Sequence, residues 1–332
     1  MGVLFTETGP TAHAHTVRID LLLADDFVLT EVAGIVDVLM IANRVSVKTV
    51  FEWRYLSLTG GIKHSRTGVM IDTHPIGPRP DVEYLFVLGN SDPHNIALSV
   101  RQHVSNYTFR NAQVFLLAEA ASRYIREAGD EAGAHTTHWE NSAMMQEGQG
   151  VHQLRGALAV QDGAVVTCAG MEATVDVTLG LIGRYVSAAA KMTVADILLH
   201  EKIRDFGTQQ PFGGAGIAQT GDPELDMCLE LMQANIEEPL PINELVRVLG
   251  MSNRSLERKF RMILGTTPNT YYREMRLSRA NNLLLNTTLS IREIGLACGF
   301  GGGFSGLYKR FFGVTPLAVR KQHRVGRPKS RA

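Results

Sequence analysis

The chain has 332 residues, 45% of them hydrophobic, which suffices for a sizeable core and for one or two domains. Its formal net charge is zero, which excludes a uniformly basic or acidic protein, but the charge is segregated: residues 1–221 hold 16 Lys and Arg against 23 Asp and Glu, and residues 222–332 hold 17 against 10. From Pro239 onward the balance is 17 against 4, net +13, the pattern of a basic nucleic-acid-binding module joined to an acidic one.

Residues 1–15 read as a flexible tail, lacking the basic start and apolar core of a secretion signal. Residues 17–24 form an apolar run of strand length, 31–43 are helical in pattern, and 53–58 alternate as a strand does. Residues 84–88 and 114–118 are short buried strands, the second feeding a helix over 120–128. Residues 164–168 form a further strand, and a helical run follows from 171 to 189. Short apolar strands alternating with helices predict a flavodoxin-like α/β domain over 16–208, with a mostly parallel sheet. Ligands of such sheets sit beyond the carboxyl ends of the strands. Residues 209–223 are Gly/Pro-rich and nearly uncharged, as a linker is.

Everything beyond the linker reads as helix, and it contains a repeat. Residues 242–268 read INELVRVLGMSNRSLERKFRMILGTTP, and residues 291–316 read IREIGLACGFGGGFSGLYKRFFGVTP. Each copy has a short amphipathic helix, a Gly turn, a second helix and Gly-x-Thr-Pro. Two helix-turn-helix units predict an all-α domain over 224–322 that reads duplex DNA. In the first copy Gly250 permits the turn, Ser252 is a fit N-cap, and Leu256 and Phe260 face inward. Asn253, Arg254, Glu257, Arg258 and Arg261 are left outside. Arg254 and Arg258 are the favoured base or phosphate contacts, since Arg pairs bidentately with guanine. A long helix over 270–286 joins the copies, with Tyr271, Met275, Leu277, Leu284 and Leu285 toward the core. Its Arg273, Arg276 and Arg279 either contact phosphates or stay solvated. The basic residues 323–332 form a tail, and with Arg320 onward they either add sequence-independent affinity or have no role.

Gly250-Met-Ser252, Leu256-Glu-Arg-Lys-Phe260, Pro268, Arg276-Leu-Ser-Arg-Ala280, Gly299-Phe300 and Phe312-Gly-Val-Thr-Pro316 together resemble the DNA-binding domain of AraC/XylS-type transcription regulators. The resemblance covers about 100 residues. It implies a first recognition helix over 253–263, with Arg254, Glu257 and Arg258 facing bases, and a second centred on Ser305 and Lys309. The second copy departs from the family. Only Gly301-Gly-Gly303 separates Phe300 from Phe304, and Gly306 stands at a commonly basic position. Three glycines start a helix poorly and supply no side chain for bases. The second unit is therefore expected to grip phosphates through Lys309, Arg310 and backbone amides, or to dock poorly without a partner.

The amino-terminal half, through Asp26-Phe27, Gly89, Ala128-Gly129, Thr136-Thr-His-Trp139, Asp176, Arg204 and Gly207 to Phe212, resembles the ThiJ/PfpI (class I glutamine amidotransferase-like) domain of the GlxA type of AraC-family regulator. Enzymes of that superfamily carry a Cys on a strand-to-helix elbow. Counting back from Ala128-Gly129 places that position at Glu119, and Cys168, Cys228 and Cys298 all fall elsewhere. The resemblance thus implies a pocket without catalysis. Glu119, with Asp26, Asn90, Ser91, His138 and Trp139 around it, suits a small polar ligand, and a carboxylate beside an aromatic ring suits an amine. Equally, Glu119 simply satisfies a helix N-terminus. His135 and His138 lack the company of a metal site, so no metal or cofactor is expected.

The expected protein is a cytoplasmic, ligand-responsive DNA-binding regulator, since three separated cysteines suit a reducing compartment and no apolar run reaches transmembrane length. The family analogy implies a homodimer, promoter DNA and RNA polymerase as partners, and activation more than repression. Two alternatives stay open: a hydrolase or amidase of the ThiJ/PfpI kind, and a ligand-independent DNA-binding protein.

Overall fold

A computed structural model of the chain describes residues 15–46, 48–90, 92, 95–129, 133–147, 156–210 and 220–325. The expected tail through residue 14, Ser91, residues 211–219 of the expected linker and residues 326–332 of the basic tail lie outside the described residues. The chain divides into two compact units: residues 1–138 with 150–208, and residues 139–149 with 209–332.

The first unit contains β1 (His15–Leu22), α1 (Leu29–Val45), β2 (Thr49–Ser57), β3 (Gly61–His64), β4 (Met70–Pro75), β5 (Tyr84–Val87), α2 (Arg101–Phe109), β6 (Gln113–Leu117), α3 (Ala118–Ala128), β7 (Ala159–Asp162), β8 (Val165–Cys168), α5 (Ala173–Ile182) and α6 (Ala188–Ile197). The strands form one sheet in the order β3-β4-β2-β1-β5-β6-β8-β7. Pairing is parallel from β4 through β8, and antiparallel only at the edges, β3 with β4 and β7 with β8. The central strands are largely apolar because both faces are covered: β5 and β8 are buried at every residue. On one side α1 packs against α5 and α6, and Ile35, Val38, Leu39, Val177 and Leu181 join Ile19, Leu21 and Phe86 in one core.

The expected strands appear as β1, β2, β5, β6 and β8. The remaining three strands lie at the edges. β3 and β4 are mostly exposed, so they carry no continuous apolar signal. The expected helical run over 171–189 is instead two helices. Gly183 ends α5, and Ser187 caps α6 by accepting the Ala190 N–H at 3.1 Å. Asp176 on α5 is buried and accepts from the backbone and guanidinium of Arg204 and from His200, which anchors the chain that returns beside β7, where Thr208 O accepts from Leu158 N.

The second unit contains α4 (Trp139–Glu147) and the carboxyl-terminal helices α7 (Pro223–Ala234), α8 (Ile242–Val248), α9 (Asn253–Leu264), α10 (Pro268–Asn286), α11 (Ile291–Ala297), α12 (Phe304–Phe312) and α13 (Pro316–Val325). α4 packs on α10, where Asn282 Nδ2 donates to Glu140 Oε1 at 3.2 Å. Local sequence sets the boundaries. Asp222 caps α7, Ser252 caps α9, Thr267 caps α10 with Pro268 at its first turn, and Ser290 and Glu293 make a capping box at α11. Two hydrophobic cores result. The first joins Leu229, Met232, Leu245, Leu256, Phe260 and Tyr272; the second joins Leu277, Leu284, Ile294, Phe300, Phe304 and Tyr308. α10 runs through both. Beyond its first turn its buried apolar residues are Tyr272, Leu277, Ala280, Leu283 and Leu284, while the expected Tyr271, Met275 and Leu285 are only half-buried. α13 carries helix through residue 325, past the expected start of the tail.

Candidate functional site

α9 presents Asn253, Arg254, Glu257, Arg258 and Arg261 to solvent. They face outward because Leu256 and Phe260, one turn apart, are fully buried on the opposite side. Gly250, at φ +65°, makes the turn from α8. Asn253 Nδ2 donates to Asn243 Oδ1 of α8 at 2.9 Å, which ties the start of α9 to the helix before it. Lys259, on the flank, pairs with Asp222 and with Glu224 at 3.1 Å.

The second helix-turn-helix, α11 and α12, repeats the geometry with a barer entry. Ser305, Lys309 and Arg310 are exposed on α12, opposite the buried Phe304 and Tyr308. Gly303 occupies the N-cap at φ +89°, a left-handed conformation, with no side-chain cap. A hypothetical Cβ at Gly301, Gly302, Gly303 or Gly306 would meet nothing within 4 Å. The turn opens a groove of about 660 Å³ between Ile291, Arg292, Leu296, Phe300 and Phe304.

The arginines of α10 differ in their surroundings, and Arg276 and Arg279 are not fully solvated. Arg276 Nη1 donates to Gly299 O at 3.0 Å and the guanidinium lies over the Tyr272 and Phe300 rings. Burial pulls the Arg276 and Arg279 guanidinium groups below their ordinary range. Arg273 alone of the three is exposed. Arg320, where the basic stretch begins, donates from Nη1 to the Leu289 carbonyl.

In the α/β unit the elbow between β6 and α3 is Ala118, at φ +41°, and not Glu119, which follows it in the first turn of α3. Backbone geometry thus places the turn one residue before the expected position. Ala118 presents a methyl group at that turn. Gly89 and Gly170 crowd it: a Cβ on Gly89 would lie 3.3 Å from Ala118 Cβ, and one on Gly170 would lie 2.7 Å away. Cys168 is buried nearby, where burial pushes its thiol up to about 12.

Glu31 is the group the sequence did not single out. It is fully buried at the start of α1. Its Oε2 accepts from Gly89 N at 2.8 Å and its Oε1 from Met171 N at 3.2 Å. Burial, then the charge of Glu119, pushes its carboxyl up to about 8, against the pull of those two N–H groups. An acidic residue in a helix's first turn ordinarily reads as a dipole partner, so sequence carries no sign of this burial.

Thr137 donates to the Ala118 carbonyl at 2.8 Å and pairs with Ser122 at 2.6 Å, which straps the run before His138 to the elbow. Burial lowers His138 to about 4, so its ring is neutral near pH 7. Asn90, next to Gly89, is fully buried, and its Oδ1 accepts from Asp92 N at 3.2 Å. Asp26 is exposed at φ +62°, its N–H donating to His64 O at 2.7 Å. Trp139 opens α4 in the second unit, its N–H donating to Gln210 Oε1 at 2.8 Å. Ser91 lies outside the described residues. Glu119 therefore shares the elbow with Glu31 and Gly89, while Asp26 has no hydrogen bond to that group among the described residues.

Among the described residues, no group of three His, Cys, Asp or Glu is placed to hold a metal, and no helix is long and apolar enough to cross a membrane. Residues 245–322 match a family described as a helix-turn-helix domain. The chain is 32% identical over 327 residues to the HTH-type transcriptional regulator GbdR of Pseudomonas aeruginosa, covering 96% of this chain and 88% of that protein. It is 28% identical over 310 residues to the HTH-type transcriptional regulator GlxA of Rhizobium meliloti, covering 92% and 96%. A crystal structure of an AraC-type DNA-binding-domain regulator from Chromobacterium violaceum is 46% identical over 32% of this chain and 96% of its own, with a TM-score of 0.31.

Proposed function

The chain belongs to the AraC-type helix-turn-helix transcriptional regulators of the GlxA and GbdR kind, and from that membership we propose how its two units divide the work. α9 enters the major groove, where Arg254 and Arg258 contact bases or phosphates beside Asn253, Glu257 and Arg261. α12 grips the adjoining backbone through Ser305, Lys309, Arg310 and the amides of the glycine turn. The observation that carries this is the unbroken outward row on α9, within a segment of net +13.

The α/β unit binds a small polar effector and catalyses nothing. The methyl of Ala118 at the elbow supports this, since no nucleophile occupies that turn. Glu119 supplies the charge, and a cationic amine or amino-acid derivative suits it; neutral His138 and buried Asn90 bring polar groups without positive charge. Asp26 and Ser91 are the other residues of this unit expected to serve the effector. The cytoplasmic protein acts as a homodimer, meets RNA polymerase, and activates transcription when the effector shifts how paired reading heads meet DNA.

Selection of bound sites from random duplex DNA, followed by footprinting, tests the first part. Protection that disappears in Arg254→Ala/Arg258→Ala supports it; binding that survives both changes refutes it. Calorimetric titration against a panel of amines tests the second. No binding by the native chain, or equal binding by Glu119→Ala, removes Glu119 from that role.

A further inference from the structure

α10 runs through both cores of the helical unit, and a helix between two separately packed bodies can bend and twist unless contacts across the seam hold it. Arg276 sits where the cores meet. Its guanidinium carbon lies 5.4 Å from the centroid of Tyr272, a member of the first core, and 4.5 Å from that of Phe300, a member of the second. Its Nη1 donates to the Gly299 carbonyl at 3.0 Å. A planar, delocalised cation can stack on two rings and donate sideways at once, which an ammonium cannot do.

The same place grips the segment between α7 and α8. Tyr272 Oη donates to Asn235 O at 2.6 Å. Gly299 holds φ +68°, and a Cβ there would lie 2.6 Å from Pro239 Cδ and 2.7 Å from Ile236 O. Ile236 packs on the second core although the helix before it builds the first. Two rings, one carbonyl and one close backbone approach thus cross the seam, and Arg276 touches three of these four.

We propose that Arg276 is a positioning residue for DNA recognition: by bridging Tyr272, Phe300 and the Gly299 carbonyl, it locks the two helix-turn-helix units into one body and so fixes the spacing and rotational phase at which α9 and α12 meet DNA. The DNA half of this rests on the proposal above that both units contact the duplex. Successive major-groove faces are about 34 Å and one helical turn apart, so one inserted base pair rotates the second target by about 35°. A rigid pair of heads cannot follow that rotation.

Two measurements on the full chain test it. Spin labels at Met262→Cys on α9 and Phe311→Cys on α12, positions that are 77% and 44% exposed, report the distance between the heads; the native cysteines are buried. The Arg276 protein gives one narrow distance distribution, and Arg276→Met, which keeps length and apolar volume, gives a broader or displaced one. An unchanged distribution overturns the proposal. Arg276→Lys is the second variant, keeping charge without the planar fork; if both variants unfold, Arg276 serves folding and the proposal fails.

The second measurement uses the selected duplex with one base pair inserted between its protected segments. The native chain loses at least about ten-fold in affinity, about 1.4 kcal/mol, whereas Arg276→Met loses less than three-fold. Both bind a duplex holding only the α9 segment equally well. An equal insertion penalty overturns the proposal, as does weaker binding of Arg276→Met to the α9-only duplex, which a direct phosphate contact would cause. If the native chain protects a single segment, the two-unit reading and the DNA half fall together, and the label distances still decide whether Arg276 locks the heads.

Discussion

The Glu31 carboxyl accepts the Gly89 N–H at 2.8 Å while fully buried against the elbow that carries Glu119. Two carboxyl groups that converge at a dry turn cannot both ionise at low cost, and the deeper one keeps its proton. Glu31 thus holds the loops after β5 and β8 together through Gly89 and Met171 without adding a second full charge near pH 7.

This arrangement sets a pH dependence. The folded Glu31 value of about 8 exceeds its ordinary 4.5, so between those limits the folded state binds the extra proton. Its contribution is fully present below 4.5 and is lost as pH rises through about 8. His138 acts oppositely: with its value lowered from 6.5 to about 4, it destabilises the fold as pH falls through that window. Denaturant unfolding of the native chain between pH 6.5 and 8 should therefore lose stability with rising pH, and Glu31→Gln should flatten that slope. Parallel slopes in the two proteins would refute the assignment.

Gly299→Ala and Gly250→Ala share a left-handed backbone, at φ +68° and +65°, but differ in space. The backbone conformation alone costs an alanine about 1–2 kcal/mol. A Cβ at Gly250 meets nothing within 4 Å, whereas one at Gly299 overlaps Pro239 and Ile236, adding about 1–3 kcal/mol of overpacking. Thermal melts should rank Gly299→Ala well below Gly250→Ala; equal melting points would contradict the close approach.

Asp222 caps α7 through the Glu224 and Leu225 N–H groups and also pairs with Lys259 on α9. Asp222→Ala should cost about 1 kcal/mol through the lost cap. Lys259→Met should cost less, because the cap survives. Chemical denaturation of both variants checks the order, and an equal loss in Lys259→Met would mean that the ion pair, not the cap, holds α7.

Arg254→Ala should weaken binding to the selected duplex by about 1–3 kcal/mol and relax preference at one base pair. Lys309→Ala should weaken binding to all sequences alike and reduce the salt dependence by about one phosphate contact. Titrations at several salt concentrations separate the two, and base selectivity lost from Lys309→Ala would reverse their roles.

The helical unit was legible in the chain itself because its signals are local. The turn at Gly250, the cap Ser252 and the Leu256–Phe260 spacing each act within a few residues, so α9 and its outward row can be read from adjacent sequence, and Thr267 and Ser290 likewise mark the starts of α10 and α11. The central strands were legible for the same reason: burial on both faces demands continuous apolar runs. Tertiary structure alone decided what depends on distant backbone. The positive φ belongs to Ala118 rather than Glu119 because of how β6 enters α3. Glu31 keeps a proton because Gly89, Met171 and Glu119, 58, 140 and 88 positions away, close around it. Arg276 leaves solvent because two rings from separate cores meet at its guanidinium. A charged side chain announces its type in a sequence, but its environment is set by segments that only folding brings near.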